Sequence, residues 1–336
     1  MNILLLQLKR IGDLVLTTPA FAALREKFPD ANLTLVVSPN TAALAPAIPH
    51  IDHVLVAKGL SPFVHVARSR FDCCIDFTRN DRSAIFTLLS GAKMRIAARR
   101  GRARPTRRPL FYNAPAECFL RFQHTSEANL ALLAPLEIHD TSHPLQLKIP
   151  PQTIENAARV RTEHHIADPF VIFHPGSARA EKFWEAERWA EVIDYARSRH
   201  NFCCVLTGSA TQLELGHLHQ IKAHTGADII DLAGKIDILT LAALIGQARL
   251  VVTVDSAPVH LAAAMRTPQV ALFGPTNPFH WRPRESPALI LQGASQLPVS
   301  EFSPAERPAR MNQISTRAVI DAMESLLSAA TLPTSG

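Results

Sequence analysis

The chain has no G-x-G-x-x-G, the fingerprint that cradles a nicotinamide dinucleotide at a strand–helix turn, and no G-x-x-x-x-G-K-[ST] of the P-loop kinases. A G-x-S-x-G nucleophile elbow and an H-E-x-x-H zinc helix are also absent. No C-x-x-C occurs. The five cysteines are Cys73, Cys74, Cys118, Cys203 and Cys204, and two adjacent pairs fall in strand-like runs. That usage fits reduced core thiols of a cytoplasmic protein better than bridges or ligands. Fifteen histidines are scattered without ligand spacing, and His164-His165 and His217-x-His219 read as surface residues. No metal and no other cofactor is expected. No run of about 20 apolar residues exists, so no membrane span is expected. The apolar residues 3–6 are too few for a signal segment, and Lys9, Arg10 and Asp13 soon follow. Aromatic residues make up 6% of the chain, and only Phe111 and Tyr112 follow its most basic stretch. Stacking on single-stranded nucleic acid therefore has little support, and no nucleic-acid partner is expected.

What is present suits a two-domain α/β protein. A length of 336 residues exceeds one usual core. The net charge of +6 points to acidic partners: a nucleotide, a phosphorylated lipid or an anionic membrane surface. Strand patterns fall at 2–8, 32–37, 53–56, 73–77, 170–173, 203–206, 229–232 and 250–254. Helical patterns fall at 19–28, 82–90, 126–136, 152–164, 186–200, 212–224, 239–246 and 314–330. A proline-rich break covers 144–151. The expected architecture is two doubly wound, Rossmann-like domains, 1–150 and 151–312, facing one another across a cleft. Residues 313–336 form a closing helix and tail that packs back toward the first domain. Ligands in such sheets sit at the carboxyl ends of the strands.

Four segments carry candidate chemistry. Leu250 to Val254 is a β-branched strand; Asp255 and Ser256 are turn and cap residues, and Pro258 suits a helix start. Such a helix aims its free N–H groups and positive dipole end at an anion, with His260 in its first turn. An ordinary capped αβ unit explains this segment equally well. After the first strand, Arg10-Ile-Gly12-Asp13 places a carboxylate at the strand's carboxyl edge, where it can act as a general base, cap a turn or pair with Arg10. Thr17 or Thr18 can cap the helix that follows. The loop from His174 to Trp184 brings Gly176, Ser177, Arg179 and Lys182 to another strand end, where a diphosphate could be cradled and its charge neutralised. Finally, Lys93, Arg95, Arg99, Arg100, Arg102, Arg104, Arg107 and Arg108 crowd into residues 91–109. Arginine suits phosphate and carboxylate groups bidentately, and a solvated loop is the plain alternative.

In order and spacing, Ile11-Gly12-Asp13…Thr17-Thr18-Pro19, Pro175-Gly176-Ser177…Lys182-x-Trp184 and Asp255-Ser-Ala-Pro-Val-His260 followed by Phe273-Gly-Pro-Thr-Asn-Pro278 resemble glycosyltransferase family 9. The resemblance spans roughly residues 1 to 280. It implies a GT-B fold and metal-independent, inverting transfer of heptose from ADP-L-glycero-β-D-manno-heptose to the lipopolysaccharide inner core. By matching position it implies that Asp13 is the general base and Lys182 neutralises the leaving diphosphate. Ser177, Ser256, Ala257 and His260 would hold the phosphates, Asp255 the heptose hydroxyls, Ile236 the adenine and Glu214 the ribose. Arg10, Lys93, Arg95, Arg99, Arg100 and Arg102 would meet an anionic glycolipid acceptor, with contact at the inner face of the inner membrane. A related transferase with another nucleotide sugar or acceptor, and a non-catalytic nucleotide or polyanion binder, stay open. The chain departs from the family where Ala257 replaces a usual glycine and Glu181 a small hydroxyl residue, and Arg310-Met311-Asn312 lacks a cysteine often found there.

Overall fold

The computed structural model describes residues 1–99, 111–118, 120–140 and 142–329. The chain divides into two compact units, Met1–Lys148 and Ile149–Gly336. Each is built on one parallel six-stranded sheet flanked by helices.

The first unit runs β1 (Asn2–Gln7), α1 (Ile11–Val15), α2 (Thr18–Lys27), β2 (Asn32–Val37), β3 (His53–Val56), α3 (Ser61–Arg68), β4 (Cys73–Asp76), α4 (Asp81–Leu89), β5 (Met94–Ala98), β6 (Ala114–Ala116) and α5 (Thr125–Ala131), with strand order β3-β2-β1-β4-β5-β6. The second runs α6 (Pro151–Glu163), β7 (Phe170–His174), α7 (Ala186–His200), β8 (Cys203–Leu206), α8 (Gln212–His224), β9 (Ile229–Asp231), α9 (Ile238–Ile245), β10 (Leu250–Val254), α10 (Ala257–Ala264), β11 (Gln269–Phe273), α11 (Pro278–Trp281), β12 (Ala288–Gln292) and α12 (Thr316–Ala329), ordered β12-β11-β10-β7-β8-β9.

Both sheets share one topology: the first strand of each unit lies between its second and fourth. Chain direction across the sheet reverses at β1/β4 in one unit and at β7/β10 in the other. Adjacent crossovers there leave on opposite faces, which opens a crevice at the carboxyl ends of those strands. The central strands β7, β10 and β11 are buried throughout. That burial explains why they read as unbroken apolar runs instead of alternating patterns.

Two expectations need correction, and the packing of the closing helix can be described. The turn assigned to Gly12 and Asp13 is a short helix, α1, because Arg10 is extended and its backbone N–H bonds the Asp13 carboxylate, closing a first turn. Within the arginine-rich stretch, residues 94–98 form β5, paired with β4 on one side and β6 on the other. The closing helix α12 stays with its own unit. Val319, Ala322, Met323, Leu326 and Leu327 join the core beneath α7 and the β11–β12 edge. Glu324 accepts hydrogen bonds from Tyr195 at 2.9 Å and pairs with His200 at 2.5 Å.

Candidate functional site

In the first unit, Asp13 follows β1 at the switch point. Its carboxylate accepts from the Arg10 N–H at 3.3 Å and lies 3.9 Å from the Lys9 ammonium. Its carbonyl accepts the Thr17 hydroxyl at 2.7 Å. Thr17 stands at the N-cap position of α2 without capping it: its hydroxyl instead accepts from Gln7 at 2.7 Å and from Asn129 at 3.1 Å. The side chains of Gln7 and Asn129, from β1 and α5, and the Asp13 carbonyl thus hold one turn in place. Burial pushes the Asp13 carboxyl above its ordinary range, and Lys9 opposes that shift in part. A desolvated carboxylate with a raised pKa is a better proton acceptor than an ordinary surface carboxylate.

The neighbouring strand β4 ends in Asp76, which the sequence reading did not single out. It is buried, and it accepts from the Thr78 and Arg79 N–H groups at 2.9 and 2.8 Å, from Ser83 at 2.7 Å and from Tyr112 at 2.5 Å. Thr78 in turn accepts the Leu8 N–H at 2.6 Å. Asp76 therefore ties the start of α4 and the chain at Tyr112 to the segment that leads into Arg10 and Asp13.

Of the expected acceptor-binding cations, Arg100 and Arg102 lie outside the described residues, as do Arg104, Arg107 and Arg108. Arg95 donates to the Phe111 and Ala92 carbonyls at 2.7 and 2.9 Å, so its guanidinium braces the fold. Arg99 pairs with Glu117 at 2.8 Å on the surface. Lys93 is exposed, and Arg10 is exposed at the N-cap of α1.

In the second unit the switch point gathers most of the expected donor residues. Lys182 and Asp255 form a buried ion pair: the Lys182 Nζ donates to the Asp255 carboxylate at 2.5 Å and to the Asp255 carbonyl at 2.9 Å. The loop bearing Lys182 is pinned on its far side. Phe183 stacks on His217 with centroids 4.4 Å apart, and the buried Trp184 donates to the Ile314 carbonyl at 3.0 Å. Glu181 pairs with Arg179 while Lys182 pairs with Asp255, so its charge has its own partner. Ser177 is buried, and its hydroxyl accepts from the Arg179 N–H at 3.4 Å.

Helix α10 begins beside that pair. Ser256 is its N-cap by backbone geometry, yet its hydroxyl donates back to the Val254 carbonyl at 3.3 Å and makes no cap bond. The N–H groups of the first turn are therefore not closed off by the cap side chain. Ala257 is the first helical residue, half-buried, and Pro258 the second. His260 is buried with no hydrogen-bond partner on Nδ1 among the described residues, and burial lowers its pKa to about 4. It is held neutral beside a cation–carboxylate pair.

Glu214 bridges two strand ends. Its carboxylate accepts the Ser209 N–H at 2.8 Å and fills the space over Gly176, where a Cβ would lie 2.1 Å from it. A side chain at position 176 would therefore have to displace the Glu214 carboxylate. His174, at the end of β7, shares a 2.9 Å hydrogen bond with Thr207, and its pKa is lowered by burial against the opposing charge of Glu214. Ile236 is half-buried in the turn between β9 and α9. Met311, in the stretch that lacks the cysteine, packs where a Gly274 side chain would be, with its Sδ 2.4 Å from the Cβ position.

His260 and His174 carry a stability consequence. Their folded pKa values lie below the ordinary 6.5, so the stability they contribute is present above pH 6.5 and is lost as the pH falls. For His260 the window is pH 6.5 to about 4. A shift of this size corresponds to about 3 kcal/mol. The unfolding free energy, followed by urea titration across that window, is expected to fall less steeply in His260→Gln than in the native protein.

Comparison with known proteins settles the family. A profile of glycosyltransferase family 9 (heptosyltransferase) matches residues 63–302. The chain belongs to glycosyltransferase family 9. It is similar to lipopolysaccharide heptosyltransferase 3 of Escherichia coli, 26% identical over 287 residues, which cover 81% of this chain and 83% of that one. Its fold matches the solved family 9 glycosyltransferase of Veillonella parvula with a TM-score of 0.85 and 26% identity, covering 98% and 97% of the two chains. E. coli heptosyltransferase WaaC, solved with ADP, shares the fold with a TM-score of 0.73 at 19% identity, covering 98% and 99%. The matched stretch of this family 9 glycosyltransferase contains Lys182, Glu214, Asp255 and His260. Asp13 precedes it. Among the described residues no helix is long and apolar enough to cross a membrane.

Proposed function

We propose that the protein transfers heptose from an ADP-heptose donor to the core of a lipopolysaccharide acceptor, with inversion and without a metal ion. The donor sits on the second unit at the carboxyl ends of β7 and β10. The observation that carries this reading is the buried Lys182–Asp255 pair at the start of α10 beside a neutral His260. A cation, open helix N–H groups and a neutral imidazole suit a diphosphate, and a carboxylate next to them suits sugar hydroxyls. The names of the relatives support heptose and lipopolysaccharide as the substrates, and WaaC solved with ADP supports the nucleotide.

The chemistry follows from those groups. The acceptor oxygen attacks the anomeric carbon, its proton passes to Asp13, and the bond to the diphosphate breaks with its electron pair leaving on ADP. Lys182 shifts from Asp255 to the phosphate as charge builds there, which frees Asp255 for the sugar. Ser177, Ser256, Ala257 and His260 line the phosphates, Glu214 receives the ribose and Ile236 the adenine. Arg10 and Lys93 are the described cations that remain for the acidic acceptor, which is reached from the cytoplasmic side. Arg99 joins them only by leaving Glu117.

A thermal-shift panel tests the donor half. ADP is expected to raise the melting temperature while UDP and GDP leave it unchanged at equal concentration. Selective stabilisation by UDP or GDP would redirect the donor assignment.

A further inference from the structure

Helices α3 and α4 cover one face of the first unit's sheet side by side. Phe63 stacks on Phe86 with centroids 4.1 Å apart, and the Arg82 guanidinium lies 5.8 Å over the Phe63 ring. Phe63, Val66, Phe86 and Leu89 point down into the core with Leu4, Leu6 and Cys74. The outward side of the same pair is also apolar. Leu60, at the start of α3, is 80% exposed and Val64 45%; on α4, Ile85 is 48% exposed and Leu88 56%.

Helical spacing makes these neighbours. Leu60 and Val64 are four residues apart on one stripe of α3, and Ile85 and Leu88 three apart on α4. Single exposed apolar residues need no explanation, but Leu60, Val64, Ile85 and Leu88 are four on two helices that pack side by side. Neither helix needs this surface for its own packing, because each has a separate buried stripe.

The surrounding charge is one-sided. Residues 53–99 hold eight cations, Lys58, Arg68, Arg70, Arg79, Arg82, Lys93, Arg95 and Arg99, against three acids, Asp72, Asp76 and Asp81. Asp76 is buried within its own hydrogen bonds, and Asp72 accepts the Asn2 N–H at 2.8 Å. Arg68 on α3, Arg82 on α4, and Lys58 and Arg70 in the chain on either side of α3 are all exposed. Long aliphatic side chains accompanied by exposed lysine and arginine match a surface that is negative at headgroup level and apolar just beneath. A protein partner would need an acidic rim around an apolar centre, whereas an anionic bilayer presents both layers everywhere.

We propose that the outer face of α3 and α4 is a membrane-docking surface, taking an anionic phospholipid bilayer, with Leu60, Val64, Ile85 and Leu88 entering the headgroup boundary and Lys58, Arg68, Arg70 and Arg82 meeting lipid phosphates. The inference stands on this surface and not on the donor chemistry, so it survives or fails independently of the heptose reading.

Flotation of the full chain, without nucleotide, on vesicles of phosphatidylglycerol in phosphatidylethanolamine tests it, with pure phosphatidylcholine as the comparison. The native protein floats with the anionic vesicles and stays behind with phosphatidylcholine. Leu60→Glu with Leu88→Glu lowers partitioning at least about ten-fold, since two apolar insertions are replaced by charges. Val64→Gln with Ile85→Gln, which adds no charge, also lowers it. Arg68→Gln and Arg70→Gln each lower it about five-fold at low salt. All these positions are exposed, so melting temperatures stay at the native value.

Native-like flotation of the Leu60→Glu/Leu88→Glu protein would overturn the proposal and move lipid binding to the basic stretch beyond residue 99. Failure of the native chain to float, or a loss of self-association in the variants without a loss of flotation, would overturn it as well.

Discussion

Asp13→Asn is expected to reduce transfer by about 10²–10⁴-fold, the usual worth of a positioned general base, while ADP still raises the melting temperature as it does in the native protein. The two readouts separate because Asp13 follows β1 in the first unit, whereas Lys182, Asp255 and His260 belong to the second. The amide keeps the shape of the carboxylate and can still accept from the Arg10 N–H, so α1 is expected to persist. Native-like turnover would remove Asp13 from the mechanism.

The same carboxyl predicts a pH profile. Burial raises its pKa and Lys9 pulls it back, so the acid limb of the rate profile lies above the ordinary carboxylate range. Lys9→Met moves that limb to still higher pH. The sign for stability is opposite to that for activity. A carboxyl whose folded pKa is raised favours folding when protonated and costs stability once ionised. Asp13→Asn is therefore expected to melt no lower than the native protein at neutral pH. Stability and function pull apart at this residue, as they do where a site holds a desolvated charge.

Lys182→Met is expected to cost about 3–5 kcal/mol, because it strands a buried Asp255 carboxylate without its cation. In a chain of this size that is a fall in melting temperature on the order of 10 °C. The double variant Lys182→Met with Asp255→Leu regains most of that loss, since an apolar pair of similar volume replaces a buried ion pair at little net cost. The Asp255 carbonyl, which accepts Nζ at 2.9 Å in the native protein, stays without that donor. Restoring it is worth about 1 kcal/mol. Neither variant is expected to transfer sugar. A double variant that is stable and active would show that the pair is structural alone, and a single variant as stable as the native chain would show that Asp255 finds water when Lys182 is gone.

Much of this site could be read along the chain. Asp13, Lys182 and Asp255 each follow an apolar strand pattern and precede a helix or loop signal, and in a doubly wound sheet that placement is a ligand edge. Asp76 escaped because Asp76-Phe77-Thr78 has no glycine or cap signature, and one of its two hydroxyl partners, Tyr112, is 36 residues away. Arg95 looked like one cation among eight. Its actual partners are main-chain carbonyls that exist only once β5 is paired. Gly176 read as part of a phosphate cradle, and the Glu214 carboxylate that lies over it comes from α8, 38 residues further along the chain. The stripe on α12 was legible as amphipathic, but periodicity says that a helix will pack and not against which sheet. Helix α3 was not read from the sequence, although Pro62 in its first turn suits a helix start.

The placement of α12 has a consequence for how the protein is made. With the last helix kept in the second unit, the chain passes between units once, at Lys148–Ile149. All six strands of the first sheet lie within residues 2–116, so no later segment is needed to complete it. On the ribosome the first unit can close its sheet while the second is still being translated. The second must wait for its final turns, because Met323, Leu326 and Leu327 complete its core. A nascent chain stalled before residue 316 would therefore present a finished first unit joined to an open sheet edge at β11 and β12, the point at which the emerging protein is most exposed to misassociation and proteolysis.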